Sequence, residues 1–598
     1  MGKIKVSDYI AKRLKKHYGV KNIFMVSGGG AMHLNDSFGK TIPYITNHHE
    51  QSCAIAAEGY SRVAQSLSVV NVTTGPGGLN CLNGVFGQWT DSVPTLYISG
   101  QVKTQTSIYT HPQLNLRQLG DQEVDIVSVV KPITKFAKMV TNPNEIKFYL
   151  DKAIYEATNE RFGPVWLDIP IDIQSSMIDE EDLIEFIPPQ KQPYDLKLEE
   201  LKFALSRASK PLIVAGHGLR LSGQIENFKR IIKETNIPVV TTFCSMDLFE
   251  TDDKNFVGRI GTVGQRAGNF ALQNADLVLF LGTRNNIRQV SYNFENFAKN
   301  AYKIAVDIDK SELEKPLVKI DLKIHADLRD FIPKITFDRV YDKGWLDFCK
   351  NLQEEYSFKN VEEYKSNEQI NVYDFVHELS ALMDEDSILV AANGSACVCL
   401  HQVGVVKPHQ RIIFNSGCAS MGYGLPCAIG ACVYSKNPVV CLCGDGSIMM
   451  NIQELQTIKH YNLPVKIFVI NNGGYSSIRQ TQKNFFEGRL TACSENSGVS
   501  VPDFCKVAQS FGIKSVKLDN PDKKQEVICD VLRQEGAVLC EVVTEKDYIF
   551  QPKLMSRMMA DGTMTSPSLE DMYPFVKKEE YKTISSGQRT LKLVQYDN

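Results

Sequence analysis

No apolar stretch in the sequence approaches the ~20 residues needed to cross a bilayer, so a membrane-spanning protein is not expected. Nor is there a surplus of one charge: 66 Lys and Arg stand against 69 Asp and Glu, for a formal net charge of -3. That balance offers no basic footprint for nucleic acid or an anionic membrane. Cys-x-x-Cys pairs are missing although the chain has 15 cysteines. Cys397 and Cys399, and Cys441 and Cys443, are each separated by one residue inside apolar runs, which is not zinc-ligand spacing. Low-complexity tracts and short repeats are also absent. The first residues, with Lys3, Lys5, Lys12, Arg13, Lys15 and Lys16, follow an amphipathic helical pattern rather than a secretory apolar core. Reduced, buried thiols in a cytoplasmic protein are the expectation.

What is present is an alternation of short apolar runs with helical patterns, the signature of α/β architecture with parallel sheets. Strands are expected at 69–73, 95–99, 165–169, 212–215, 277–281, 304–308, 439–443, 467–470 and 538–543. Several are apolar on both faces, as strands covered by helices on both sides should be. Compositional breaks divide the chain into 1–176, 190–337 and 369–546. The charged helical stretch 341–368 reads as a linker, and 547–598 as a tail closing over the third block. The first and third blocks share a plan in which glycine-rich turns follow strand ends, where doubly wound sheets bind ligands.

The most informative segment is Cys441-Leu-Cys-Gly-Asp-Gly-Ser-Ile-Met-Met-Asn-Ile-Gln-Glu-Leu, followed by Ile467-Phe-Val-Ile-Asn-Asn-Gly-Gly-Tyr. Asp445 ends one strand and Asn472, 27 residues on, ends the next, a gap that one strand–helix–strand crossover fills. An Asp carboxylate, an Asn amide oxygen and a backbone carbonyl are hard ligands suited to Mg²⁺ shared with phosphate oxygens. Gly446 and Ser447 then open a helix, whose first N–H groups favour phosphate. Gly-Asp-Gly alone also occurs in ordinary turns; the second motif at this spacing is what points to a metal–diphosphate site.

These residues resemble the thiamine diphosphate fingerprint shared by pyruvate decarboxylases, acetolactate synthases and benzaldehyde lyases. The 444–455 stretch is especially similar to acetolactate synthase. The resemblance implies three doubly wound parallel-sheet domains: an N-terminal pyrimidine-binding domain, a central Rossmann-like domain, and a C-terminal diphosphate- and Mg²⁺-binding domain. It also implies that Asp445, Asn472 and the Gly474 carbonyl hold the metal. Asn47-His-His-Glu-Gln followed by Ala54-Ile-Ala-Ala-Glu-Gly-Tyr-Ser-Arg is similar to the family's His-Glu-Gln motif, with Glu50 on the glutamate that starts the chemistry. A carboxyl against N1′ of the pyrimidine makes the 4′-nitrogen a base for the thiazolium C2 proton. A lone Glu at a helix start otherwise reads as a dipole-favoured residue. His48 and His49 are read equally well as structural.

Thr73-Thr-Gly-Pro-Gly-Gly-Leu-Asn resembles the family's cofactor-facing turn, implying contacts from Pro76 and Asn80. Asn415-Ser-Gly-Cys-Ala-Ser-Met-Gly-Tyr-Gly-Leu-Pro implies Met421 as the wedge between the cofactor rings and the Ala419 carbonyl near the 4′-amine. Met fills cores equally well. Gly394 and Ser395 are further candidates for diphosphate contact. Gln122 matches the Gln-Glu-x-Asp pattern of acetolactate synthases, with Asp121 where Phe is usual; its amide is expected near the substrate carbonyl, the alternative being a solvated surface residue.

Two departures bear on substrate. Thr481 stands where acetolactate synthases carry a Trp, leaving room for a larger acceptor, with Arg479 or Gln480 as helpers. The central block lacks the flavin contacts, and Gly216-His-Gly-Leu-Arg-Leu is not a dinucleotide fingerprint because Leu221 replaces the third glycine. A bare domain and one holding FAD remain alternatives. The expected activity is a 2-oxoacid decarboxylase and carboligase using pyruvate. Its alternatives are two-carbon transfer to a larger keto acceptor such as a nucleotide-linked keto sugar, and simple decarboxylation. A non-catalytic binding homologue would be expected to lack Glu50, Asp445 or Asn472, and all three are present. The resemblance further implies a homodimer or homotetramer.

Overall fold

The computed structural model describes residues 2–558 and 564–585. Three six-stranded parallel sheets dominate it. The first contains β1 (Ile23–Met25), β2 (Tyr44–Thr46), β3 (Ser68–Val72), β4 (Thr95–Gln101), β5 (Phe136–Met139) and β6 (Pro164–Pro170). The second contains β7 (Pro211–Ala215), β8 (Val239–Thr241), β9 (Phe256–Arg259), β10 (Leu277–Leu281), β11 (Tyr302–Asp307) and β12 (Leu322–His325). The third contains β13 (Ile388–Ala391), β14 (Arg411–Ile413), β15 (Val439–Gly444), β16 (Val465–Asn471), β17 (Lys514–Leu518) and β18 (Val538–Val543). All the expected strands are present, and central ones such as β4, β6 and β10 are buried along their whole length, which explains their unbroken apolar runs.

The first sheet runs in the order β2-β1-β3-β4-β6-β5 and the third β14-β13-β15-β16-β18-β17. These are one topology used twice, as the shared turn pattern suggested. The second runs β9-β8-β7-β10-β11-β12, the doubly wound order of dinucleotide-binding domains.

By its contacts the chain forms two compact units. One comprises Met1–Lys191, Ser387–Ala396 and Arg411–Thr544, and carries the first and third sheets. The other comprises Gln192–Asp386, Cys397–Gln410 and Glu545–Asn598. In the first unit the two sheets share one core, closed by the helices Glu50–Ala64 and Gly424–Ser435. A Cβ on Gly59 would overlap the Cys427 carbonyl, and one on Gly430 would overlap that of Ala56. The sequence Ala54-Ile-Ala-Ala-Glu-Gly therefore serves close helix approach as well as any chemistry nearby.

Two expectations are corrected in the second unit. The 341–368 stretch is not a free linker: helix Lys343–Glu355 buries Trp345, Leu346 and Cys349 in the core beside Leu212 and Phe280, and Trp345 Nε1 donates to the Pro211 carbonyl at 2.9 Å. Its charges occupy the outer face of an amphipathic helix. The tail is not simply a cover for the third block. Gln551 and Pro552 do meet Tyr373 and Gln402, but Leu554 N donates to the Thr262 carbonyl at 2.8 Å. Asn269 and Gln273 then bind Leu569, Ser568 and Glu570. Residues 559–563 and 586–598 of that tail lie outside the described residues.

Buried polar groups in the first sheet give a measurable signature. Asp168 on β6 is fully buried and accepts from Ser99 Oγ at 2.6 Å and Gln101 Nε2 at 3.0 Å. Burial outweighs those bonds and pushes its carboxyl up to about 7. Between the unfolded value near 4 and about 7, the native state holds a proton the unfolded chain has lost. Stability therefore falls as pH rises through that window, by at most about 1.4 kcal/mol per pH unit, and levels off above it. Asp168→Asn should lose this component, so the difference in urea midpoint between wild type and variant should change from pH 5 to pH 8. A constant difference would show that Asp168 does not titrate there. At the helix crossing, Gly430→Ala should cost about 2–3 kcal/mol by overpacking; a variant as stable as wild type to urea would show that the helices can part freely.

Candidate functional site

The first-domain part of the site grows from the loops after β2 and β3. His49 is extended and Glu50 begins the helix Glu50–Ala64, half-buried at its N-terminus. The chain just before it is fixed by a residue from the third domain, Glu454. One oxygen of its fully buried carboxylate accepts from Asn47 Nδ2 at 2.8 Å and the other from His48 N at 3.0 Å. One turn on, Ser52 Oγ donates to Asn451 Oδ1 at 3.1 Å. After β3, Gly75 takes φ +61 and Pro76 starts a short helix ending at Asn80. Asn80 Nδ2 donates to Glu50 Oε2 at 2.9 Å, so the expected acid and its expected neighbour are in contact.

The Gln122 loop packs onto the same turn. A Cβ on Gly75 would overlap the Gln122 carbonyl, so only glycine allows this approach. Gln122 itself has φ +59 and an exposed side chain. The loop is organised by the next residue, Glu123, whose buried carboxylate accepts from Ser107 Oγ, Ile108 N, Leu119 N and Gly120 N at 2.6–3.0 Å. Burial pulls that carboxyl up, but the four hydrogen bonds win and hold it below its ordinary range. Glu123 and Glu454 were not singled out from the sequence. The signal available for Glu454 was an acidic residue in a stretch otherwise destined for burial.

The third-domain part lies where the strand order reverses, between β13 and β15. Gly394 and Ser395 follow β13, Gly444 ends β15 and Asp445 to Ser447 follow it, so these candidates share one sheet edge. Cβ atoms built on Gly394 and Gly444 meet nothing within 4 Å, which leaves the edge open there. Asp445 is 2% exposed and accepts from Gly446 N at 2.6 Å, Asn472 N at 3.1 Å and Gly474 N at 2.9 Å. Burial raises its carboxyl despite those amides. The Gly474 carbonyl accepts from Ser476 N at 3.2 Å and keeps a second lone pair. A buried carboxylate, an amide side chain and a carbonyl at neighbouring strand ends fit a hard divalent ion, and the open glycines beside a helix start fit a diphosphate.

Ser447 Oγ accepts from Gly422 N at 3.0 Å, and Asn451 Nδ2 donates to the Gly422 carbonyl at 2.8 Å, tying the 415–422 loop to this edge. In that loop Ala419 has φ +56 and Met421 is half-buried. Its other anchors come from the first domain: Gly417 N donates to Asp91 Oδ1 at 3.2 Å and Ser420 Oγ to Asn83 Oδ1 at 2.6 Å. Beneath it Arg62 bridges Glu58 at 2.9 Å and Asp91 at 2.7 Å, all buried, and Tyr423 donates to Glu58.

The helix Ser476–Phe485 overturns one expectation. Arg479 is not directed at an acceptor; it is 5% exposed and donates to the Asn472, Gly473 and Cys493 carbonyls. Thr481 is exposed, with its hydroxyl returned to the Ser477 carbonyl at 3.1 Å, and Gln480 is half-buried. His48 is exposed, and His49 Nδ1 is buried without a hydrogen bond. In the second unit, Cβ atoms on Gly216 and Gly218 would run into Gly282. These glycines let the turn after β7 pack against the turn after β10.

Comparison with known proteins agrees with this geometry. Residues 4–128 match the thiamine pyrophosphate enzyme N-terminal TPP binding domain, 198–335 the central domain, and 392–542 the C-terminal TPP binding domain. The chain is 30% identical over 553 residues to the acetolactate synthase large subunit of Lactococcus lactis subsp. lactis (strain IL1403), covering 91% of this chain and 94% of that one. It is 30% identical over 527 residues to the acetolactate synthase isozyme 2 large subunit of Escherichia coli (strain K12), covering 88% and 93%. With acetolactate synthase 1, chloroplastic, of Zea mays it is 31% identical over 565 residues, covering 90% and 85%. The chain belongs to the thiamine pyrophosphate enzyme family, as an acetolactate synthase-like member that forms or cleaves carbon–carbon bonds.

Proposed function

We propose that this enzyme is a Mg²⁺- and thiamine diphosphate-dependent 2-oxoacid decarboxylase and carboligase, with pyruvate as donor. The observation that carries the reading is the pairing, in one compact unit, of the Glu50–Asn80 contact with the Asp445–Asn472–Gly474 turn. The names of the relatives support pyruvate chemistry.

In this reading Asp445, Asn472 and the Gly474 carbonyl hold Mg²⁺, and Gly394, Ser395, Gly446 and Ser447 receive the diphosphate. Bound thiamine diphosphate supplies a carbon nucleophile for a substrate carbonyl and a sink for the electron pair released with CO₂. Glu50 holds and returns a proton at the pyrimidine N1′, its carboxylate oriented by the Asn80 amide. Pro76 walls the turn beside it, while Met421 and the Ala419 carbonyl shape the pocket between the cofactor rings. The Gln122 side chain is free to donate its amide to an oxyanion developing on the substrate, because Glu123 holds the loop backbone. Transfer to a larger keto acceptor, such as a nucleotide-linked keto sugar, is favoured by one observation: Thr481 and Ile478 leave the helix face after the metal turn open. The working unit in this reading is a homodimer or homotetramer; light scattering that returned a monomer at assay concentration would remove that element.

Incubated with thiamine diphosphate, Mg²⁺ and pyruvate, the purified protein should release CO₂, and Glu50→Gln should lower the rate about 10²–10⁴-fold. Mass spectrometry of the products separates acetolactate from free aldehyde, and a run with a keto sugar present tests the larger acceptor. Equal turnover in wild type and variant would remove Glu50 from its role.

A further inference from the structure

We propose that Arg479 is a positioning residue that sets the backbone of the 472–474 turn for cation capture. This rests on the thiamine diphosphate reading above. Arg479 lies in the first turn of the helix Ser476–Phe485, directly after the turn it controls. Its Nη2 donates to the Asn472 carbonyl at 2.9 Å, and its Nη1 to the Gly473 carbonyl at 3.2 Å and the Cys493 carbonyl at 3.4 Å. From the opposite side, Asp445 Oδ2 takes the amides of Asn472 and Gly474. The turn is thus gripped by charge of both signs, its N–H groups by a carboxylate and its carbonyls by a guanidinium.

In the thiamine diphosphate reading the cation is held by Asp445, the Asn472 side chain and the Gly474 carbonyl, and the guanidinium fixes the backbone between the last two through the Asn472 and Gly473 carbonyls. Gly473 and Gly474 have φ +73 and +123, conformations that favour glycine, and two consecutive glycines bring no side chains to brace the turn. Its order must come from outside. The Cys493 carbonyl that Arg479 contacts also accepts from Tyr475 N at 3.0 Å. One helical turn on, Gln482 pins Thr491 through a donated and an accepted bond at 3.0 and 2.8 Å, which fixes the 491–493 strap behind the guanidinium. A planar fork can serve carbonyls of consecutive residues and a third strand at once, whereas a lysine ammonium is a single point on a flexible stem.

The test titrates Mg²⁺ into the full-length protein at saturating thiamine diphosphate, following binding by calorimetry, for wild type, Arg479→Lys and Arg479→Ala. Pyruvate KM is measured at saturating Mg²⁺ in parallel. Both variants should raise the half-saturating Mg²⁺ concentration about 10–100-fold, the usual effect of losing a group that orients metal ligands, with pyruvate KM unchanged. Added guanidinium should restore part of the Mg²⁺ affinity of Arg479→Ala. Arg479→Lys keeps a buried cation and guards against simple misfolding of the alanine variant. Mg²⁺ half-saturation within twofold of wild type in a folded variant would overturn the proposal. So would a change confined to pyruvate KM, which would return Arg479 to the substrate side. A wild type that binds neither Mg²⁺ nor thiamine diphosphate would instead overturn the cofactor reading, and this proposal with it.

Discussion

The crossing of helix Glu50–Ala64 with helix Gly424–Ser435 is the contact on which the rest of the first unit depends. Each helix starts beside a candidate site segment: Glu50 is the first residue of one, and the 415–422 loop feeds the other. Their separation is set by glycines at 59 and 430, which admit backbone against backbone. The shared core of both sheets wraps this crossing, so the two halves of the site cannot be adjusted independently. Interiors packed at this density transmit small displacements rather than absorb them.

Polar groups at that crossing add registry to proximity. Glu58, Arg62 and Asp91 form a buried ionic cluster that reaches Tyr423 and, through Asp91, the backbone of Gly417. Burial raises the Glu58 carboxyl even though Arg62 opposes it. Such a cluster contributes little net stability compared with an apolar equivalent, but breaking one member leaves a buried charge and costs about 3–5 kcal/mol. Glu454 acts in the same way from the third domain, holding both the side chain of Asn47 and the amide of His48 just before Glu50. The carboxyl read as the chemical acid is therefore half-exposed, while the carboxyls that fix its surroundings are fully enclosed.

Which residues were readable in advance follows from how their signals arise. Asp445 and Asn472 sit at the ends of apolar strands, and a crossover of one helix brings consecutive strand ends to one edge, so local spacing placed their two turns side by side; Gly474 as a third ligand came from the family resemblance. Glu50, Pro76 and Asn80 were readable through motif resemblance, and the Glu50–Asn80 contact joins them. Arg479 was misread because sequence marks it as a cation beside a site without showing direction. Its side chain turns inward to three carbonyls, one of them on a strap 14 residues away. The 341–368 stretch was read as a linker for a related reason: its charges are visible in sequence, but the Trp345 face of helix Lys343–Glu355 meets β7 only in three dimensions.

The sequence by itself determined the alternation of strands and helices, the two glycine-rich edges and the acids placed at them, because hydrophobic period and turn chemistry are local properties of a chain. Tertiary structure alone decided that the first and third sheets share one core, that Glu123 and Glu454 hold the loops around the site, and that the tail from Leu554 packs on the central unit. Those outcomes depend on which distant surfaces can approach closely enough to exclude water and satisfy each other's buried polar groups. No local pattern encodes that match; it exists only once both partners are folded.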